Sequence, residues 1–246
     1  MKTIITHVLF ILCLLPFSAS ASGPEVKLDR APIQTTDMLS LQRGAHIFVN
    51  YCLSCHSAEY MRYNRLRDLG LTETQISDNL IFTGQKAGEL MTVAMKKKEA
   101  KQWFGVAPPD LSVIARSRGP DWLYTYLRKF YRDDSSATCW NNVVFEKAAM
   151  PHVLHQMQGE QTLVAKTVDD GHGGKHEVHE LKLEKPGTLS KTEYDAYVAD
   201  LVNYLVYLGE PAAAKRVHIG IIVMLFLFAM LGLAIALKHE YWKDIH

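Results

Sequence analysis

Asn50-Tyr51-Cys52-Leu53-Ser54-Cys55-His56-Ser57 places two cysteines two residues apart, with a histidine directly after the second. That is the attachment pattern of a c-type haem. The spacing has a chemical reason: each thiol forms a thioether to one haem vinyl group, and the adjoining imidazole is then held under the iron as its proximal ligand. One short segment both fixes the cofactor and supplies one axial bond. A thioredoxin-like redox pair has no need of the histidine, and a zinc site needs further cysteines or histidines at matching spacing, which the chain does not offer.

Both ends of the chain bear on this reading. Met1-Lys2, an apolar run from Ile4 to Phe17 and then Ser18-Ala19-Ser20-Ala21-Ser22 have the build of a secretory signal over residues 1–21, cut after Ala21. The mature chain is then expected outside the cytoplasm, where bacteria attach c-type haem. Cys13 leaves with the signal, so Cys139 has no partner within the chain, and a buried thiol is expected there. At the other end, residues 217–237 hold no Asp, Glu, Lys or Arg, and as a helix they reach about 30 Å, enough to cross a bilayer core. His218 sits at the edge of this span, where its polar tip snorkels to the interface. Lys215 and Arg216 precede it and Lys238 and Lys243 follow it, so charge gives no orientation. The signal does: residues 22–214 form a periplasmic haem domain and 238–246 a cytoplasmic tail, in a single-pass protein of the bacterial inner membrane. The formal net charge of +1 gives no field that would favour nucleic acid or an acidic substrate. No second Cys-x-x-Cys-His occurs, so one haem is expected.

Within the domain, Pro24 and Pro32 mark residues 23–34 as extended chain. Leu41, Ala45, Phe48, Val49 and Cys52 then fall on one helical face, with Asp37 or Ser40 as N-cap. Gly44 lies mid-helix, where it costs about 1 kcal/mol relative to alanine, a reasonable cost if a second helix backbone crosses there. The candidate partner begins at Ser190-Lys191-Thr192-Glu193, a capping box, and repeats Tyr194, Tyr197, Val198, Leu201, Leu205 and Leu208 until Gly209 and Pro211. Thr162–Val168 and His176–Leu183 flank Asp169-Asp170-Gly171-His172-Gly173-Gly174 and predict a hairpin; its exposed polar character accounts for His172, His176 and His179 without a metal. Lys96, Lys97, Lys98 and Lys101 read as a solvated helix face. The expected class is mostly α, with a small β-hairpin excursion and one C-terminal transmembrane helix.

An electron-carrying haem is commonly held by methionine opposite histidine. Met61 follows His56 too closely to reach the far face, and Met91 and Met95, four apart, read as core positions of a helix. Met150 precedes Pro151, which biases it to extended backbone suited to a ligand loop. On position alone Met157, His152 and His155 compete with it.

A helix ending in Cys-x-x-Cys-His, crossed by an aromatic-rich C-terminal helix, resembles the general cytochrome c fold. The likeness becomes specific in the order of five features: Tyr51 to Ser57; Ala107-Pro108-Pro109-Asp110-Leu111-Ser112; Ala115-Arg116-Ser117-Arg118-Gly119 leading to Asp121-Trp122; Trp140-Asn141-Asn142 with Ala149-Met150-Pro151-His152; and the single C-terminal span. In that order they resemble the cytochrome c1 family, the haem subunits of ubiquinol:cytochrome c oxidoreductase, the cytochrome bc1 complex. The resemblance implies Cys52 and Cys55 as haem attachment points and His56 and Met150 as axial ligands. It also implies Pro109 in the turn lining the haem pocket and Arg118, with Arg116 as close competitor, paired to a haem propionate. Trp122 stands where the family has Tyr, and Cys139 stands where it has Gly.

The function so implied is one-electron relay from the Rieske iron–sulfur subunit through one covalent haem c to a cytochrome c acceptor. Cytochrome b is the membrane partner, and the complex is dimeric. The chain itself is a non-catalytic subunit of an enzyme. A free-standing membrane-anchored monohaem cytochrome c feeding a terminal oxidase shares the chemistry and differs in partners. A haem-free thiol-exchange module is the reading from another class.

Overall fold

Asp37 starts the first described helix: its carboxylate accepts a hydrogen bond from the Ser40 amide at 3.1 Å, satisfying one of the donors that a helix N-terminus leaves open. From there α1 runs Met38–Ile47 and passes directly into a π-helical turn, Phe48–Cys52. Such turns recur at functional sites. The computed structural model describes residues 26–169 and 175–244; the expected signal and the hairpin turn at 170–174, with His172, lie outside them. After the Cys55-His56 loop come β1 (Ala58–Arg62), a 3-10 stretch (Tyr63–Leu69), α2 (Glu73–Leu80), β2 (Leu90–Met91) and α3 (Lys97–Phe104). Then follow α4 (Ile114–Arg118), α5 (Pro120–Arg128), β3 (Phe130–Arg132), β4 (Trp140–Asn142), β5 (Gly159–Asp169) and β6 (Lys175–Pro186). The chain ends in α6 (Lys191–Gly209) and α7 (Ala213–Trp242).

The crossing of α1 and α6 organises the core. Capping-box bonds open α6, with Ser190 Oγ accepting from the Glu193 amide at 3.4 Å and Glu193 Oε2 from the Ser190 amide at 2.8 Å. A Cβ placed on Gly44 would lie 2.1 Å from the Asp200 carbonyl oxygen and 2.7 Å from Tyr204 Cβ, so only glycine permits this approach. All five apolar residues of the α1 face are buried, and so is the α6 series except half-buried Tyr197. Phe48 meets Tyr204 at 5.5 Å between ring centroids. The extended segment from residue 26 to 34 is tied across this core by several polar contacts. Buried Asn203 bonds the Gln34 backbone both ways and Ser40 Oγ, and Arg128 joins Asp29 to Asp195.

Among the described residues, β-structure is confined to three two-stranded antiparallel sheets, β1 with β2, β3 with β4 and β5 with β6. The last is the hairpin expected from sequence, extended at both ends and paired Thr162 to Lys182. Two readings need correction. Met91 is buried, but it lies in a strand rather than a helix, and Met95 sits in the turn before α3, partly exposed. The Leu90-Met91 register against β1 leaves no helical period there. Cys139, expected as a buried thiol, is exposed: it occupies a left-handed turn position, φ 58°, just before β4. The turn geometry holds its side chain off the core. The lysines of α3 are exposed as read. α7 contains the stretch Lys215–Trp242, long and apolar enough to cross a membrane.

Candidate metal centre

The π-helical turn delivers the motif. Its wide winding closes with the Leu53 amide on the Phe48 carbonyl at 3.0 Å, and the chain then folds back so that the amides of Cys55 and His56 both reach the Cys52 carbonyl, at 3.0 and 2.8 Å. Cys52, Cys55 and His56 are thereby gathered on one tight loop. Both thiols are unpaired; Cys52 is buried and Cys55 half-buried.

His56 is aimed by the Pro-Pro turn. Its Nδ1 lies 2.7 Å from the Pro109 carbonyl oxygen, and a carbonyl can only accept, so Nδ1 carries the proton and Nε2 presents its lone pair. Burial lowers the His56 pKa, opposed by the Pro109 bond and the Asp110 carboxylate, which favours the neutral imidazole a metal requires. The turn is pinned at several points. The Leu111 amide donates to the Ser57 carbonyl at 2.8 Å. Asp110 accepts from the amides of Glu59 and Ser112, each at 2.8 Å, and Ser112 Oγ accepts from the Tyr60 amide at 3.1 Å. A cleft beside it is lined by Cys55, Ser57, Val93, Met95, Pro108 and Asp110.

Arg118 and Met150 each rest on an aromatic ring of α5. Trp122 and Tyr126, one turn apart, stack at 4.7 Å and 10°; the Arg118 guanidinium lies over Trp122 at 5.2 Å, and the Tyr126 hydroxyl donates to Met150 Sδ at 3.7 Å. Arg116 points elsewhere, its side chain against Gly209 at the end of α6. Of the competitors, Met157 is buried in the core and His155 is exposed. His152 is buried, stacked on Phe130 at 4.9 Å and edge-on to Trp140 at 5.1 Å. Its Nε2 has no hydrogen-bond partner, and burial, only partly opposed by Gln158, pushes its pKa down to about 4.

These donors fit a c-type haem: two neighbouring thiols, an imidazole with its second nitrogen free, and a half-buried thioether. Burial pushes the Cys52 thiol up to about 12, opposite to the low-pKa thiolate that thiol exchange needs, while a neutral thioether suits the same environment. Among the described residues no cluster of three or more His, Cys, Asp or Glu is arranged for a bare metal ion. Sequence reasoning missed Tyr126 and the backbone-pinning roles of Ser57 and Asp110. The spacing of Trp122 and Tyr126 on one helix face was the available signal.

Comparison with known proteins agrees. The chain is 59% identical over 242 residues to a Nitrosomonas europaea protein named ammonia monooxygenase gamma subunit, covering 98% of this chain and 99% of that one. It is 48% identical over 236 residues to cytochrome c1 of Allochromatium vinosum, covering 96% of each. It also matches cytochrome b/c1 of Bradyrhizobium diazoefficiens at 23% identity, over 92% of this chain and 35% of the relative. The model of the Cytochrome C1 family matches residues 29–245, from the extended N-terminal segment through the Cys-x-x-Cys-His loop to the end of the apolar helix. By that match, and by the Allochromatium likeness along nearly its whole length, the chain belongs to the cytochrome c1 family.

Proposed function

We propose that this chain is the electron-transfer subunit of a cytochrome bc1 complex, relaying single electrons from a Rieske iron–sulfur subunit to a cytochrome c. When bound, the covalent c-type haem supplies a one-electron iron couple; the chain's residues hold it and tune its surroundings. Cys52 and Cys55 would bond the porphyrin through sulfur, and His56 Nε2 and Met150 Sδ would hold its iron. The Pro109 carbonyl fixes the His56 tautomer and makes Nε2 a better donor. Arg118, lying over Trp122, would offset the charge of a propionate. The chain makes and breaks no substrate bond; the enzyme is the complex.

One observation carries the reading: an imidazole held at Nδ1 by a backbone carbonyl, directly after two unpaired cysteines, with no hydrogen bond to Nε2 among the described residues. α7 anchors the chain in the membrane. The remaining topology follows the signal: residues 1–21 are removed, 22–214 face the bacterial periplasm, and the tail from 238 is cytoplasmic. Cytochrome b packs on α7, a partner supported by the Bradyrhizobium relative's name, and the complex is dimeric.

The name of the Nitrosomonas relative favours a second reading, in which the same electron relay serves an oxygenase. Purification from native membranes in mild detergent separates the two. Co-purifying cytochrome b and Rieske subunit, with cytochrome c reduction blocked by a quinol-site inhibitor, is the expected result. Co-purification with an ammonia-oxidising activity and no cytochrome b would establish the oxygenase reading instead.

A further inference from the structure

The Tyr126 hydroxyl is buried on α5, and its hydrogen bond to Met150 Sδ, 3.7 Å long, is made where nothing in the relay yet uses it. The contact is held from both sides. The Tyr126 ring is fixed between Trp122, stacked at 4.7 Å, and Phe130, edge-on at 5.0 Å. The Tyr126 carbonyl accepts from buried Asn142 Nδ2 at 2.8 Å. The methionine segment is referenced to the same Phe130, because His152, two residues on, stacks on that ring at 4.9 Å and 4°. Hydroxyl and sulfur are thus positioned by one shared aromatic cluster, with Pro151 stiffening the backbone between Met150 and His152.

We propose that Tyr126 is a positioning residue for the relay: it holds the Met150 thioether by hydrogen bonding to one sulfur lone pair, directs the other to the iron, and thereby raises the haem's midpoint potential. The proposal rests on Met150 being the axial ligand. A hydrogen bond to sulfur withdraws electron density, so the ligand donates less to the oxidised iron than it otherwise would, and the reduced state gains relative to it. The bond is a neutral one to a weak acceptor, so its effect is bounded by what a single hydrogen bond contributes, about two-fold to tenfold in an equilibrium.

The test is Tyr126→Phe in the haem-loaded protein in membranes or detergent, a change that keeps both ring contacts and removes only the hydroxyl. Redox titration is expected to show the reduced-to-oxidised ratio at fixed ambient potential falling several-fold, at most about tenfold, which for one electron is about 59 mV. The far-red sulfur-to-iron charge-transfer band of the oxidised protein should persist but shift. In wild-type protein the iron–sulfur vibrational frequency should move on exchange into heavy water, a readout that needs no variant to fold and that a purely structural tyrosine would not change. An unchanged potential in Tyr126→Phe, or no isotope shift in wild type, overturns the proposal. Loss of the ligand reading is distinguishable: Met150→Leu would then retain the far-red band.

Discussion

His56 illustrates how one backbone contact sets the tautomer of a proposed ligand. A free histidine side chain exchanges between two tautomers, and the Pro109 carbonyl at 2.7 Å selects the one protonated at Nδ1. Met150 has no such charge or proton to fix it, and depends on Tyr126 and the Phe130–His152 stack. Met150→Leu is therefore expected to lower the midpoint potential by more than about 59 mV, a tenfold shift in a one-electron equilibrium, and to open the iron to carbon monoxide. Redox titration and a carbon monoxide difference spectrum read both effects; an unshifted potential with a closed iron would assign the ligand elsewhere. At this level the sequence was legible where chemistry is written in adjacent residues. Cys52, Cys55 and His56 announce themselves by spacing, and Pro151 marks Met150. Tyr126 does not, because its partner lies 24 residues on and is reached only through tertiary folding. Cys139 misled for a related reason: cysteine is usually buried, but the positive φ of its turn overrides the side chain's preference.

The elements that frame the site are α1 and α6, and each carries a device that can be tested alone. Gly44→Ala would push a Cβ to 2.1 Å from a backbone carbonyl that belongs to a packed helix and cannot swing away. A loss of about 3 kcal/mol, the upper end of ordinary overpacking, is expected in denaturant unfolding of the haem-loaded protein; a loss under about 1 kcal/mol would mean that the helices separate easily. At the start of α6, Ser190→Ala removes one half of the capping box and is expected to destabilise by about 1 kcal/mol near neutral pH. Hydrogen bonds from Ser190, side chain first and then backbone, hold the Glu193 carboxyl below its usual pKa. A depressed carboxylate pKa contributes stability above its unfolded value that is lost as pH falls through the folded one. The difference between wild type and Ser190→Ala should therefore narrow below about pH 4, as followed by thermal unfolding across pH; a difference independent of pH would contradict the pairing. Both helices were legible because caps and a 3.6-residue period run over many residues. The two- and three-residue strands were not, since a strand that short has no period to detect, and Met91 with Met95 consequently passed for a helix.

For the whole molecule, the placement of parts explains why one chain can be both attached and exposed. A domain with its own crossed-helix core carries the Cys-x-x-Cys-His loop, and the apolar side chains of α7 from Val217 to Leu237 stand outside that core, as the proposed membrane anchor requires. Legibility at this scale came from order: no single motif identifies the family, yet the haem loop, the Pro-Pro turn, the arginine segment, Met150-Pro151 and the terminal span succeed one another along the chain. What order could not convey is how the parts touch, such as Arg118 lying over Trp122 while Arg116 turns to Gly209. The account depends most on covalent attachment at Cys52 and Cys55. Trypsin digestion of the chain purified from native membranes releases the peptide from Gly44 to Arg62, which holds both cysteines and His56. Mass spectrometry is predicted to find that peptide heavier by one haem group; a peptide with the mass of its amino acids alone would contradict the account.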